Sequence, residues 1–323
     1  MPMLAEPRMA FKTGLGTAYV TSVEEFLESD DSHIFRGKVD LLLTSPPFPL
    51  RAKKAYGNME GQEYLDWLSK VISDATEMLS VEGSLVLEIG NSWDPGQPSM
   101  SLLPLQALLA VVEETGFTVC QQFICHNPAR LPGPAQWVTV NRMRMKDTYT
   151  HVWWLARSPW VKKADNRKVL APYSDSMKRL LKRKSYNSGL RPSGHQLSDQ
   201  GFVKDHGGSI PSNVLSFANT SDDKNYVAWC KERGVKAHPA RMPRQLAQFF
   251  IDFLTDEGDL VWDSFAGSLT TASVAESANR RWLATEMSEE YLRGSLGRFI
   301  PFAQYIESSD HFFENEIEAL RKM

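Results

Sequence analysis

The run Val39–Thr44 (VDLLLT) is apolar at almost every position and stops abruptly at Ser45-Pro46-Pro47. A strand with one wet face alternates polar and apolar residues. A strand without alternation is covered on both faces, which points to the interior of a parallel sheet. A second such run, Ser84–Ile89, follows the segment Glu63–Leu79, where Leu65, Leu68, Val71, Ile72, Ala75 and Leu79 recur at helical spacing and Gly83 lies just beyond. Ala18–Val20 reads as a short strand and Val23–Glu28 as the start of a helix. Leu102–Thr115 reads as an amphipathic helix stopped by Gly116, and Phe117–Ile124 as the next strand. This β-α-β alternation predicts an α/β fold with a doubly wound, Rossmann-like sheet. With 42% hydrophobic residues among 323, the chain has material for one large domain carrying an insertion, or for two domains.

After the aromatic strand His151–Ala156 the rhythm is lost. From Ser158 to about Val235 the chain is rich in Lys, Arg, Ser, Asn, Gly and Pro with little periodicity. So long an irregular stretch is uncommon unless it is functional, and it reads as an inserted recognition module. Regularity returns at Arg241. Leu246, Phe249, Phe250, Phe253 and Leu254 share a helical face, Leu260–Asp263 is a strand, Thr270–Ala278 a helix, Trp282–Glu286 a strand and Ser288–Phe299 a helix. The acidic C-terminal end is helical. The expected organisation is therefore 1–157 and 236–323 as two halves of one domain, with 158–235 inserted between them.

The net charge of −3 is unevenly spread. Arg157 to Lys184 holds ten Lys/Arg against two Asp/Glu, a local +8, which leaves −11 for the rest. Such segregation predicts a basic face for a polyanion, with Lys178, Arg179, Lys182, Arg183, Lys184 and Arg191 as candidate contacts, on an otherwise acidic body. Trp160, Tyr173 and Tyr186 are interleaved with it. Three cysteines (Cys120, Cys125, Cys230), no apolar leader and no membrane-length stretch predict a cytoplasmic protein with free thiols, no membrane contact and no metal site.

The segment Asp259–Glu276 (DLVWDSFAGSLTTASVAE) is strand, small-residue turn, helix, the place where open α/β sheets bind ligands. The turn has neither GxGxxG nor GxxxxGK[ST]. It has one glycine, Gly267, and begins with an acid, Asp263, which repels a pyrophosphate but attracts an α-amino group. Glu286, ending the next strand, is placed to accept from both hydroxyls of a ribose. A ligand with a nucleoside at one end and an amino acid at the other is S-adenosyl-L-methionine. Upstream, KAHPARMP (Lys236–Pro243) forms a proline-fixed entry to the following helix.

Thr44-Ser45-Pro46-Pro47-Phe48 offers different chemistry. Two prolines stiffen the backbone and donate nothing, so flanking carbonyls act as pure acceptors. The amino group of a base is a poor nucleophile because its lone pair is delocalised. Acceptors at Ser45 and the Pro46 carbonyl can hold its two protons and localise that pair, while Phe48 stacks on a base taken out of the duplex. Glu88, ending the next strand, is a candidate acid beside the amino proton. No cysteine follows a proline, which argues against C5-methylation of cytosine and its thiolate nucleophile.

With these residues in hand the chain resembles the permuted β class of DNA amino-methyltransferases, and within it the cytosine-N4 group of restriction–modification enzymes. The resemblance runs through TSPPF, KAHPARMP, DSFAGSLTT and ATEMSEEY in that class's order. It continues in KKAYGN (Lys53–Asn58), HNPARLP (His126–Pro132), VWW (Val152–Trp154), VLAPYSD (Val169–Asp175), RPSGH (Arg191–His195) and GGSIPSN (Gly207–Asn213). It implies that Ser45, Pro46, Pro47 and Phe48 form the target-base pocket. Asp263, Phe265, Gly267 and Ser268 would line the methionine end of the cofactor, with Glu286 on the ribose. His238, Pro239, Ala240 and Arg241 would flank the cofactor carboxylate, Arg241 as an ion pair. Double-stranded DNA is the implied substrate and a cognate restriction endonuclease a possible functional counterpart; monomer and homodimer are both open. Three positions depart from the class. Ser264 replaces a proline, Leu269 replaces a second glycine, and Ser22 stands where an adenine-contacting Asp is common. Adenine N6 is the alternative target, and an RNA or small-molecule methyltransferase or a non-catalytic DNA-binding module are further alternatives.

Overall fold

A computed structural model describes residues 6–48, 61–186, 188–198, 201, 203–217 and 223–322; KKAYGN lies outside them. The chain divides into a main unit, Met1–Ala164 with Asn213–Met323, and a smaller unit, Asp165–Ser212.

Among the described residues of the main unit, nine strands form one sheet. In chain order they are β1 (Arg8–Lys12), β2 (Gly16–Val20), β3 (Val39–Thr44), β4 (Leu79–Gly90), β5 (Thr118–His126), β6 (Tyr149–Ala156), β9 (Val214–Ser216), β10 (Leu260–Asp263) and β11 (Arg281–Glu286). Across the sheet the order is β1-β2-β11-β10-β3-β4-β6-β5-β9. The five strands from β2 to β4 run parallel, while β6 is antiparallel to both its neighbours. The apolar run of β3 sits at the centre, with Leu41, Leu42 and Leu43 fully buried, as its lack of alternation requires. Helix Gly61–Thr76 buries Leu65, Leu68, Val71, Ile72 and Ala75 on one face of the sheet. Helix Arg244–Leu254 places Phe250 and Phe253 against Phe123 of β5 and Trp154 of β6.

Two boundaries differ from expectation. Leu79 does not close the helix that ends at Thr76; it opens β4, because Val39 pairs with it across the sheet. The edge strand β1 was not anticipated, since Arg8–Lys12 is short, buries only Ala10 and Phe11, and is interrupted by an irregular register between Met9 and Phe11.

Sheet order decides where a ligand binds. From β3 the chain winds outward through β4, and from β10 it winds the opposite way through β11. The crevice at the carboxyl ends of β3 and β10 is therefore the topological switch point.

The smaller unit is narrower than the expected insertion 158–235. The stretch after Ser212 returns to the main sheet as β9, which pairs with β5, and then as helix Lys224–Glu232, which buries Tyr226, Trp229 and Cys230. The smaller unit itself holds a helix, Asp175–Arg183, and a hairpin of β7 (Gly189–Leu190) and β8 (Gln196–Leu197). The helix turns Met177, Leu180 and Leu181 partly inward and leaves Lys178, Arg179, Lys182 and Arg183 exposed. RPSGH forms the hairpin turn, where the Arg191 amide donates to the His195 carbonyl at 2.8 Å.

Candidate active site

A cavity of about 920 Å³ opens at the switch point. One wall is Ser45, Pro46, Pro47 and Phe48, immediately after β3. The opposite wall is Asp263 to Ala266 with Ser268, after β10, joined by Glu286 and by His238, Pro239, Ala240 and Arg241. Stretches some two hundred residues apart in sequence thus face one space.

Thr44 joins the two walls. Its hydroxyl donates to Asp263 Oδ1 at 3.0 Å and accepts from the Ser264 hydroxyl (3.1 Å) and the Phe265 amide (3.2 Å). A proline at 264 has no hydroxyl for this contact, so the departure at Ser264 adds a tie between the strands. Asp263 also accepts from the Thr271 hydroxyl at 2.7 Å. Burial dominates these hydrogen bonds and pushes its carboxyl up to about 6.

The turn after β10 keeps a left-handed shape. Gly267 has φ +51° and Leu269 φ +54°, so leucine adopts the conformation that a second glycine would take without strain. Complete burial of the Leu269 side chain offsets that cost. Gly267 does not border the cavity. Its role is close approach, because a Cβ there would lie 3.2 Å from the His238 ring. Its amide donates to Glu286 Oε2 at 2.8 Å, and the Ser288 amide donates to Oε1 at the same distance. Glu286 therefore shapes the turn while bordering the cavity. Burial raises its carboxyl, and the two amides oppose that. Ser22 caps helix Val23–Glu28 in a reciprocal capping box with Glu25 and also borders the cavity.

Arg241 borders the cavity, but its Nε donates to Asp223 Oδ2 at 2.6 Å and its Nη1 to the His238 carbonyl at 2.7 Å. Its principal ion pair is thus internal, which the motif alone did not reveal.

On the other side, Phe48 lies against Gly90 at the end of β4; a Cβ on Gly90 would come within 2.7 Å of the ring. Glu88, two residues earlier, is buried and accepts from the Thr150 hydroxyl at 2.8 Å. Burial raises its carboxyl. The Ser45 hydroxyl makes a long contact, 3.5 Å, with the Glu88 carbonyl. Cys125 borders the cavity too, but burial and the Glu88 charge push its thiol up to about 12, so it offers no thiolate near neutral pH.

Several site residues escaped the sequence reading. Asn127 and Arg130 of HNPARLP border the cavity, the latter donating to the Tyr149 carbonyl at 3.2 Å. Tyr64 and Trp67, one turn apart on helix Gly61–Thr76, do so as well. Among the described residues the buried Tyr64 hydroxyl has no hydrogen-bond partner, and Trp67 donates to Glu24 at 2.8 Å and packs edge-on to Phe265. A helical aromatic pair reads as core from sequence, and only the neighbouring loops make it a wall. Lys178, Arg179, Lys182, Arg183, Lys184 and Arg191 belong to the smaller unit.

A doubly wound sheet with a switch-point cleft that pairs strand-end acids with an SPPF turn, without a phosphate loop or a thiolate, defines a Rossmann-like amino-methyltransferase. Comparison with known proteins places the chain further. It belongs to the N6/N4 DNA methylase family, whose model matches residues 39–296. The type II methyltransferase M.PvuII of Proteus hauseri is 42% identical over 295 residues, spanning 90% of this chain and 85% of that protein. The solved PvuII DNA methyltransferase (cytosine-N4-specific) superposes with a TM-score of 0.74 at 33% identity, covering 99% of this chain and 95% of that one. The M1.HpyAVI–SAM complex shares the fold at a TM-score of 0.52 and 16% identity, over 88% of this chain and 99% of that one. Among the described residues no helix is long and apolar enough to cross a membrane.

Proposed function

We propose that the chain methylates the exocyclic N4 of cytosine in duplex DNA, using S-adenosyl-L-methionine and a base extruded into the cleft. The observation that carries this reading is the shared cavity: the SPPF turn and the DSFAGS turn border one space and are tied together through Thr44 and Asp263.

The residues present fit the cofactor. Glu286 keeps acceptor capacity beyond its two backbone amides for ribose hydroxyls. Asp263 supplies a carboxylate for the α-amino group, and the glycine at 267 allows the His238 loop to close against the turn. When bound, S-adenosyl-L-methionine supplies an electrophilic methyl on a positively charged sulfur. The chain's own task is to present the amine. Ser45 and the Pro46 carbonyl accept its two protons, Phe48 stacks on the ring, and the stiff Pro46-Pro47 backbone keeps these acceptors aligned. Glu88 sits beside this pocket, where its buried carboxylate can receive the proton that the methylated amine sheds.

The exposed basic face of helix Asp175–Arg183, with Arg191 of the adjacent hairpin, supports a DNA-backbone contact by the smaller unit, which we assign to target recognition. Likeness to a type II methyltransferase favours pairing with a restriction endonuclease, and the absence of a nucleophilic thiolate fits an amine target. The test is incubation of duplex DNA with protein and labelled cofactor, followed by digestion and nucleoside mass analysis. N4-methylcytosine is expected. N6-methyladenine would redirect the target assignment, and no incorporation across varied genomic DNAs would overturn the reading.

A further inference from the structure

The two loops that flank the amino-acid end of the cofactor are tied to residues outside them. Behind them lies Arg298, whose side chain is only 4% exposed and which does not border the cavity. Its Nε donates to the Ser268 carbonyl at 2.7 Å, its Nη2 to the Ser268 hydroxyl at 3.0 Å, and its Nη1 pairs with Asp223 Oδ1 at 2.6 Å. The other Asp223 oxygen holds Arg241, which in turn grips the His238 carbonyl. Tyr226 completes the assembly. Its ring lies under both guanidiniums, 4.4 Å from that of Arg298 and 5.8 Å from that of Arg241, and its hydroxyl accepts from the His238 amide at 2.7 Å.

Two guanidiniums share one carboxylate here, so the cluster carries one positive charge beyond what Asp223 neutralises. Only Arg241 among its charged members borders the cavity. Burying an arginine behind a binding wall is costly unless every donor is used, and this one is spent on the turn that carries Gly267 and Ser268. We propose that Arg298 is a positioning residue: with Asp223 and Tyr226 it locks the Ser268 turn to the His238–Arg241 loop and, through Arg241, presents a fixed positive charge to the cofactor carboxylate. The inference rests on the cofactor reading above, and it gives an arginine outside every quoted motif a specific effect on one end of the ligand.

The test compares two ligands on the full-length protein by calorimetry: S-adenosyl-L-methionine, and 5′-methylthioadenosine, which has the nucleoside but no amino-acid portion. Arg298→Met is expected to weaken the first by about tenfold or more, the scale of a lost charge-assisted contact, and the second by less than about twofold. Arg298→Lys, which keeps the charge but not the fork, should fall between. If Arg298→Met does not fold, Arg298→Lys and Asp223→Asn carry the test. Asp223→Asn should release Arg241 and again weaken only the amino-acid-bearing ligand. Equal loss of both ligands, or loss of neither, overturns the clamp while leaving the cofactor reading intact. A wild-type protein that binds neither ligand overturns both.

Discussion

Asp263 illustrates how one side chain is set by its surroundings. Removed from water, its carboxyl titrates near 6 despite hydrogen bonds from Thr44 and Thr271 that favour the charged form. The charged form is the one that attracts an α-amino group, so cofactor affinity should hold above pH 6 and decline as pH falls through about 6. Calorimetry between pH 5 and 8 checks this, and Asp263→Asn should bind weakly with a flat profile over that range. On the opposite wall, Ser45→Ala and Phe48→Ala should each lower kcat on the order of 100-fold, the effect of removing one pre-aligned contact to a developing charge. Cofactor affinity should change little in both; an equal loss of affinity would refute the division between the two walls. These residues were legible in sequence because each sits at the end of an apolar run, where strand geometry places it at the sheet edge. Arg298 and Asp223 were not legible, since an arginine near the end of the helix expected over Ser288–Phe299 carries no signal of its distant partners.

At the level of elements, the strand ends do the positioning. Gly90 terminates β4 under the Phe48 ring, and an added methyl cannot coexist with that ring at 2.7 Å. Gly90→Ala should therefore displace Phe48 and lower kcat at least about tenfold, given the sensitivity of reacting geometry to shifts near 1 Å, while the melting temperature moves only modestly. Unchanged turnover would mean that Phe48 does not need this seat. Leu269 stands where the resembled motif has a second glycine, yet its backbone is left-handed, the conformation glycine adopts most easily. Helix Gly61–Thr76 was legible as amphipathic. Its role in presenting Tyr64 and Trp67 to the cleft was not, because that depends on Phe265 and Glu24 from other loops.

At the scale of the whole molecule, the half proposed to be catalytic precedes the half proposed to hold the cofactor, and the sheet joins them where β3 pairs with β10. The smaller unit carries the basic helix. Replacing Lys182, Arg183 and Lys184 with alanine should weaken DNA binding and reduce the slope of log K against log salt by about 1 for each side chain that meets a phosphate. Cofactor affinity should be unaffected. An unchanged slope in a filter-binding series would assign the basic run to ordinary solvated surface.

Local chemistry settled a good deal of this. Unbroken apolar runs identified the buried strands, prolines and glycines marked their ends, and acids at those ends announced a nucleoside-bearing, amino-acid-bearing ligand. All of that follows from short-range rules of burial and backbone conformation, which a linear chain displays directly. Tertiary packing decided the rest. It made Thr44 the link between two walls, committed Arg241 to Asp223, brought Arg298 behind Ser268, and returned residues after Ser212 to the main unit. Such contacts join residues separated by tens to hundreds of positions, and no periodicity or spacing records which distant partner a buried charge will meet.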